Sequence, residues 1–387
     1  MKMGFDYANR LKMLPPYLFA EIEEKVEKKR KEGMDIIDLG IGDPDLPTPQ
    51  PILDCIKKEL QDPDNHRYPS SAGEADTRRA IAQWYKRRFN VNVDPNGEVA
   101  ILIGSKEGLA NICRAFVNPG EKVLVPDPAY PVYAQGAALL TDAVPLRFPL
   151  LAEKGFLPEM DSMPTDARMI YLNYPNNPTG AVCDEDFLLQ AHRWCNETNT
   201  IFCYDNAYSE MTFDDYVAPS AIKVGHNDGI IEFCSLSKTF NMTGYRMGYA
   251  VGDANLIAGL KKVKSQIDSG APKFLQKAMS MALGEYKGAE RPQMVQDNIN
   301  VYQERRDVLV RGLRKLGFKV DPPKATFYLW LKVDGPSLKF AEDLLGAGIV
   351  VTPGIGFGKG GEGYVRMATT QTSERIEEAL ERMAKVL

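Results

Sequence analysis

Residues 232–252 read EFCSLSKTFNMTGYRMGYAVG: an apolar lead-in, a serine-flanked lysine, a polar turn closing on glycine, an arginine and a second apolar run. The pattern predicts strand, loop, strand, with Lys238 where the first strand gives out. Its surroundings are rich in hydroxyls and poor in competing charge, which suits an amine that must lose its proton to attack a carbonyl. Ser235 and Ser237 fall on one side of an extended chain, because side chains alternate with period two, and Arg246 follows after the turn. Two hydroxyls and a guanidinium make a phosphate clamp. Taken alone, S-x-S-K also fits an ordinary solvated lysine, so the rest of the chain decides.

Working outward, the same order of apolar run, polar turn and helix recurs. In VAILIGSKEGLANICRAFV (99–117) a compact strand passes through Gly104 into a helix, whose free N–H groups at Ser105 and Lys106 suit a phosphate. Strands are expected at 122–125, 144–149, 168–173, 200–204, 230–234 and 247–251, and helices at 131–140, 184–198 and 254–266. Alternation of this kind predicts a mostly parallel sheet covered on both faces, with ligands bound beyond the carboxyl ends of its strands. Gly104, Tyr130, Asn177, Asp205, Tyr208 and Lys238 each come just after a strand.

The flanks read differently. Residues 5–20 suggest an extended arm broken by Pro15 and Pro16, followed by a helix over 19–32. DIIDLGIGDPD (35–45) reads as a short strand ending in a turn where Gly40 and Gly42 permit close backbone approach to a ligand. Helices are expected at 49–60 and 74–89, with Tyr68 in the loop between. From 275 to about 317 the pattern is helical, so the boundary near 290 falls within a helix. Strands at 318–321, 326–333 and 363–368, with helices at 336–347 and 373–387, make a smaller α+β unit. The resulting division is 45–290 for the large domain, with 1–44 and 291–387 forming the small domain and N-terminal arm.

Bulk properties narrow the function. The length of 387 residues suits two or three domains, at about 100 to 200 residues each. A net charge of −5 argues against a broad nucleic-acid surface. No apolar stretch approaches the ~18 residues that span a bilayer, and the first residues carry no long apolar run, so no membrane partner and a cytoplasmic location are expected. The 6 cysteines lack a C-x-x-C pair and read as buried thiols. With 3 histidines, none spaced as a helical pair, neither a histidine metal site nor a serine hydrolase is expected.

Seven motifs stand in order: GIGDPD, YPSSAG, DPAYPVY, YPNNPTG, DNAYSE, SLSKTFNMTGYRMGYAVG and GYVRMA. Together they resemble the class I/II pyridoxal-phosphate aminotransferases over essentially the whole chain. The resemblance implies the fold type I architecture: a three-layer αβα large domain with a mostly parallel sheet, and a smaller α+β domain. It implies pyridoxal 5′-phosphate, carried on Lys238, which then moves the proton at the substrate α-carbon. Asp205 is similar to the carboxylate that pairs with the ring nitrogen. Asn177 and Tyr208 resemble the pair at the ring oxygen, and Tyr130 the stacked aromatic. Ser105, Lys106, Ser235, Ser237 and Arg246 would cup the phosphate, with Tyr68 reaching across from a partner subunit, which implies a homodimer with shared sites. Arg366 would grip the substrate α-carboxylate, and Gly40 would meet the same group through its backbone.

Substrates of this class are amino acids and 2-oxo acids, 2-oxoglutarate being the expected second partner. Within the family, YLFAEI, IGSKEGLANI, SQIDSG and PKATFYLW are most similar to LL-diaminopimelate aminotransferases of the GSKEG kind, with Lys106 on the distal carboxylate and Tyr17 over the substrate. One departure stands out: Ser71 occupies the loop position where plant-type members carry a glutamate for the distal ammonium. Alanine, aspartate and aromatic aminotransferases remain alternatives, as does a pyridoxal-phosphate carbon–sulfur lyase.

Overall fold

Apolar runs with no alternation are the mark of strands buried on both faces, and they build the centre of this molecule. The computed structural model describes residues 5–15, 18–225 and 228–387. Its strands are β1 (Ile37–Asp38), β2 (Val99–Leu102), β3 (Lys122–Asp127), β4 (Val144–Pro149), β5 (Met169–Asn173), β6 (Ile201–Asp205), β7 (Ile230–Ser235), β8 (Gly248–Gly252), β9 (Tyr328–Lys332), β10 (Ile349–Val350), β11 (Thr352–Pro353) and β12 (Tyr364–Ala368). A seven-stranded sheet runs β2-β8-β7-β6-β5-β3-β4. Only β8 opposes the rest, pairing antiparallel with both β2 and β7.

Period-two alternation sends neighbouring residues to opposite cores. Ile170, Leu172, Phe202 and Tyr204 pack on one face of the sheet, with the helix Ala75–Phe89. Met169, Tyr171, Ile201 and Cys203 pack on the other, with the helices Ser105–Phe116 and Ala254–Lys264. Three αβα layers result, and the carboxyl ends of the parallel strands meet along one edge.

A third core joins Leu309, Leu313, Leu329, Leu331, Val365, Met367 and Ile376. It lies beneath the sheet β11-β12-β9 and includes Ile37 and Leu39 from the N-terminal side. β1 pairs in parallel with β10, Ile37 opposite Ile349. The helix Leu18–Lys31 is tied to the helix Ser337–Gly346 by Lys25 and Glu342, 2.7 Å apart. The early chain thus completes a unit formed mainly by the late chain.

Several expectations need correction. The arm contains a helical turn, Asn9–Lys12, whose residues are all exposed, so periodicity gave no sign of it. PVYAQGAALL forms a π-helix over Val132–Ala138 and a 3-10 turn over Leu139–Thr141, where an α-helix was expected. Helix over 275–317 is interrupted: Lys273–Gly284 and Gln293–Lys315 are separated by a connection containing Gly288 and closed by Pro292. Arg291 donates to the Thr212 carbonyl at 3.1 Å there, and Tyr286 donates to Glu210 at 3.1 Å. The expected strand at 318–321 does not form, because β9 pairs with β12 alone and the Val320 carbonyl instead accepts from Arg314 Nε at 2.9 Å.

Candidate active site

The decisive stretch folds as β7, a helical turn Leu236–Thr239, a 3-10 turn Thr243–Tyr245, then β8. The loop between strands is therefore partly helical, and Ser235 and Ser237 do not alternate along an extended chain. Ser235 caps the turn, its Oγ accepting from the Ser237 N–H at 3.2 Å. Tight winding brings both hydroxyls and Lys238 to one cavity of about 540 Å³.

Lys238 keeps some exposure toward that cavity, and Nζ donates to the Gly42 carbonyl at 2.8 Å. Desolvation brings its ammonium down to about 8; the Asp43 carboxylate opposes this, and the Arg366 and Arg246 guanidiniums add to it. At pH 7 about one such lysine in ten is the free amine, against roughly one in three thousand at the ordinary value. This is the electrostatic requirement for a nucleophilic or proton-transferring lysine.

Asp205 ends β6 and is 5% exposed. Burial raises its carboxyl to about 6, while a hydrogen bond from Tyr133 and the Ala207 N–H hold it down. The Tyr133 hydroxyl donates to Oδ2 at 2.7 Å. A carboxylate kept from water in this way is suited to meet a cationic partner. Asn173, at the end of β5, ties neighbouring strand ends together: Nδ2 donates to the Asp205 carbonyl at 2.7 Å, and Oδ1 accepts from the Asn177 N–H at 2.8 Å. The Tyr208 hydroxyl lies 3.1 Å from that of Tyr328.

The opposite wall comes from the later chain. Arg366 on β12 is 6% exposed. Its Nη1 donates to Asn177 Oδ1 and its Nη2 to the Gly40 carbonyl, both at 2.8 Å. The guanidinium lies between the Tyr328 and Phe357 rings, 4.1 and 4.8 Å from their centroids. A fork held flat by two rings and two oxygens is pre-organised for a planar carboxylate.

Gly104 enters the helix Ser105–Phe116 with φ +75°, and a Cβ on it would lie 2.4 Å from Arg246 Nη2. A Cβ on Gly248 would lie 2.7 Å from the Ser105 nitrogen. The two glycines leave a hollow bordered by a helix N-terminus and a guanidinium, the arrangement that receives a phosphate. Lys106 points its ammonium at the Tyr130 ring, 5.8 Å from the centroid.

Ser105, Lys106, Tyr130, Asn177, Asp205, Tyr208, Ser235, Ser237, Lys238, Arg246 and Arg366 all line this cavity. Gly40 does not. Its N–H is taken by Asp38 Oδ1 at 2.9 Å, and Gly42 is the glycine at the wall, packed so closely that a Cβ would lie 1.8 Å from the Tyr328 hydroxyl. Tyr68 is 85% exposed and stands outside the lining. Tyr17 lies outside the described residues. Sequence reasoning singled out Gly42 for close backbone approach but missed Tyr133, Asn173, Asp43, Tyr328 and Phe357. Of these Tyr133 had a signal, since DPAYPVY carries two tyrosines and only the first was assigned.

Fold and cavity together define the class: an α/β protein of fold type I with a lysine amine in its cavity. Comparison with known proteins narrows it. Residues 34–383 match the family model aminotransferase class I and II, and the chain belongs to that family. It is similar to the LL-diaminopimelate aminotransferase of Aquifex aeolicus, at 49% identity covering 98% of each chain. Among solved structures it is similar to substrate-bound BacF from Bacillus subtilis, with TM-score 0.92 and 35% identity over 99% of this chain and 98% of that one. The aspartate aminotransferase of Thermus thermophilus with maleate superposes with TM-score 0.91 at 28% identity, over 99% of this chain and all of the other.

Proposed function

We propose that this aminotransferase moves an amino group from LL-diaminopimelate to 2-oxoglutarate, or the reverse, by a ping-pong reaction on pyridoxal 5′-phosphate, as a step of lysine biosynthesis. The observation that carries the chemistry is one cavity lined by both Lys238, its ammonium brought down to about 8, and the buried Asp205. The substrate rests on the identity to LL-diaminopimelate aminotransferases across nearly the whole chain.

The residues fit the cofactor. The hollow at Gly104, which a Cβ would fill, suits its phosphate, held by the Ser105 and Lys106 N–H groups, Ser235, Ser237 and Arg246, with Tyr68 from a second subunit. Asp205 would sit at the ring nitrogen, Asn177 and Tyr208 at the ring oxygen, and Tyr130 against the ring face. When bound, the group supplies an electron sink for charge developing at the substrate α-carbon.

The chain's own residues do the rest. Arg366 binds the α-carboxylate through its fork, with Gly40 behind it, and so fixes which substituent of the α-carbon faces Lys238. Lys238 takes the proton from that carbon and returns it on the other side of the exchange. Tyr133 holds Asp205 in place as a hydrogen-bond donor. Lys106 binds the distal carboxylate, and Tyr17 covers the substrate. The two units, 45–290 and 1–44 with 291–387, contribute opposite walls, and a homodimer completes each site. A cytoplasmic location is supported by cysteines that are all unpaired, five of them buried. No helix among the described residues is long and apolar enough to cross a membrane.

A donor panel with 2-oxoglutarate tests the reading. Glutamate should form with LL-diaminopimelate at the highest kcat/KM among it, aspartate, alanine and aromatic amino acids. Turnover of the others without diaminopimelate would remove the substrate. Release of ammonia or thiol with no acceptor would replace transfer by elimination.

A further inference from the structure

The charged side chains around the cavity divide into two groups. Asp205, Lys238, Arg246 and Arg366 are held by hydrogen bonds to Tyr133, Gly42, Thr243 and Asn177. Asp43 and Lys106 also line the wall, and neither side chain makes a hydrogen bond or ion pair among the described residues. Asp43 follows directly on Gly42, is exposed, and lies near enough to Lys238 for its charge to act there. Asp205, the other carboxylate of the lining, is buried and engaged with Tyr133. The cavity therefore presents one accessible anion, close enough to Lys238 to act on it, and one accessible cation, neither held by a hydrogen bond.

A second amino-acid group at the far end of a donor carries just such a pair, one ammonium and one carboxylate. A dicarboxylate carries only the anion, which engages Lys106 and leaves Asp43 unused. The loop at Ser71 offers no carboxylate at that position. We infer that Asp43 is the residue that selects a donor with a distal ammonium, binding that ammonium while Lys106 binds the distal carboxylate; this rests on the LL-diaminopimelate reading above. Recognition of the distal amine is then supplied from the same chain as Lys238, by the residue beside the glycine that accepts from it.

The test is steady-state kinetics of the cofactor-loaded enzyme and its Asp43→Asn and Asp43→Glu variants, with LL-diaminopimelate and with glutamate as donors. In Asp43→Asn the ratio of kcat/KM for diaminopimelate to that for glutamate should fall about ten- to a hundredfold, mainly through KM, the worth of one charge-assisted hydrogen bond. Asp43→Glu should restore most of the ratio. If Asp43 acted only by adjusting Lys238, both donors would fall by the same factor with a shifted pH profile, and the unchanged ratio would overturn the inference. Wild-type enzyme that fails to use diaminopimelate would instead defeat the substrate reading itself.

Discussion

Asp205 and Lys238 are perturbed in ways that can be measured in the cofactor-free protein. Asp205 rises from 3.8 to about 6 on folding, so between those values the native state holds a proton that the unfolded chain has lost. Stability therefore falls as pH rises through that window, by about 3 kcal/mol if the whole shift is expressed. Asp205→Asn removes the buried charge but weakens the bond from the Ala207 N–H, a loss of about 1 kcal/mol. The cofactor-free variant should resist urea better than wild type at pH 7, by about 1 to 2 kcal/mol, with the advantage gone below pH 4. The loaded variant should lose most of its turnover. Lower urea resistance at pH 7 would show that the carboxylate is not held against its solvation. Lys238 has the mirror behaviour: its value is lowered, so the cost of burying it is present below about 8 and is relieved as pH rises toward 10.5. Several of these residues were legible because each ends an apolar run, as Lys238 and Asp205 do. Asp43 was not, since its place in the cavity depends on Lys238, far away in sequence.

The strands were readable because burial on both faces writes them as apolar runs, and their shared carboxyl edge follows from parallel pairing. Short or irregular elements were not. β10 and β11 are two residues each and exist only through partners in β1 and β12. Phe318–Asp321 had the composition of a strand but no neighbour to pair with. The helical turn at Lys238 was hidden because a single turn shows no periodicity. That turn, β8 and the helix from Ser105 meet at Gly104 and Gly248, which makes the phosphate hollow a property of element packing. Gly104→Ala places a side chain at φ +75° and within 2.4 Å of Arg246. Strain of about 1 to 3 kcal/mol and a displaced guanidinium should follow. Cofactor affinity, read by fluorescence titration, should drop at least about tenfold, the equivalent of ~1.4 kcal/mol. Unaltered affinity would place the phosphate elsewhere.

At the scale of the molecule, the late chain supplies Arg366 and the middle of the chain supplies Lys238, and both line one cavity. That arrangement was legible from the order of the motifs. The non-helical connection at 285–292, which contains Gly288, was not, because it is short and flanked by helical periodicity on both sides. Tyr68 is large, aromatic and 85% exposed, and we propose that it serves the site of a second subunit. Subunit mixing tests this. Lys238→Ala and Tyr68→Ala proteins should each be impaired, yet refolding them together should regenerate one complete site per mixed dimer and recover activity. Recovery absent from verified mixed dimers would mean that Tyr68 serves its own chain or none. Purified protein should carry a visible absorption band that borohydride removes, and digestion with mass spectrometry should then find a phosphopyridoxyl group on Lys238. A colourless protein with no reducible band, or a label on another lysine, would contradict that assignment.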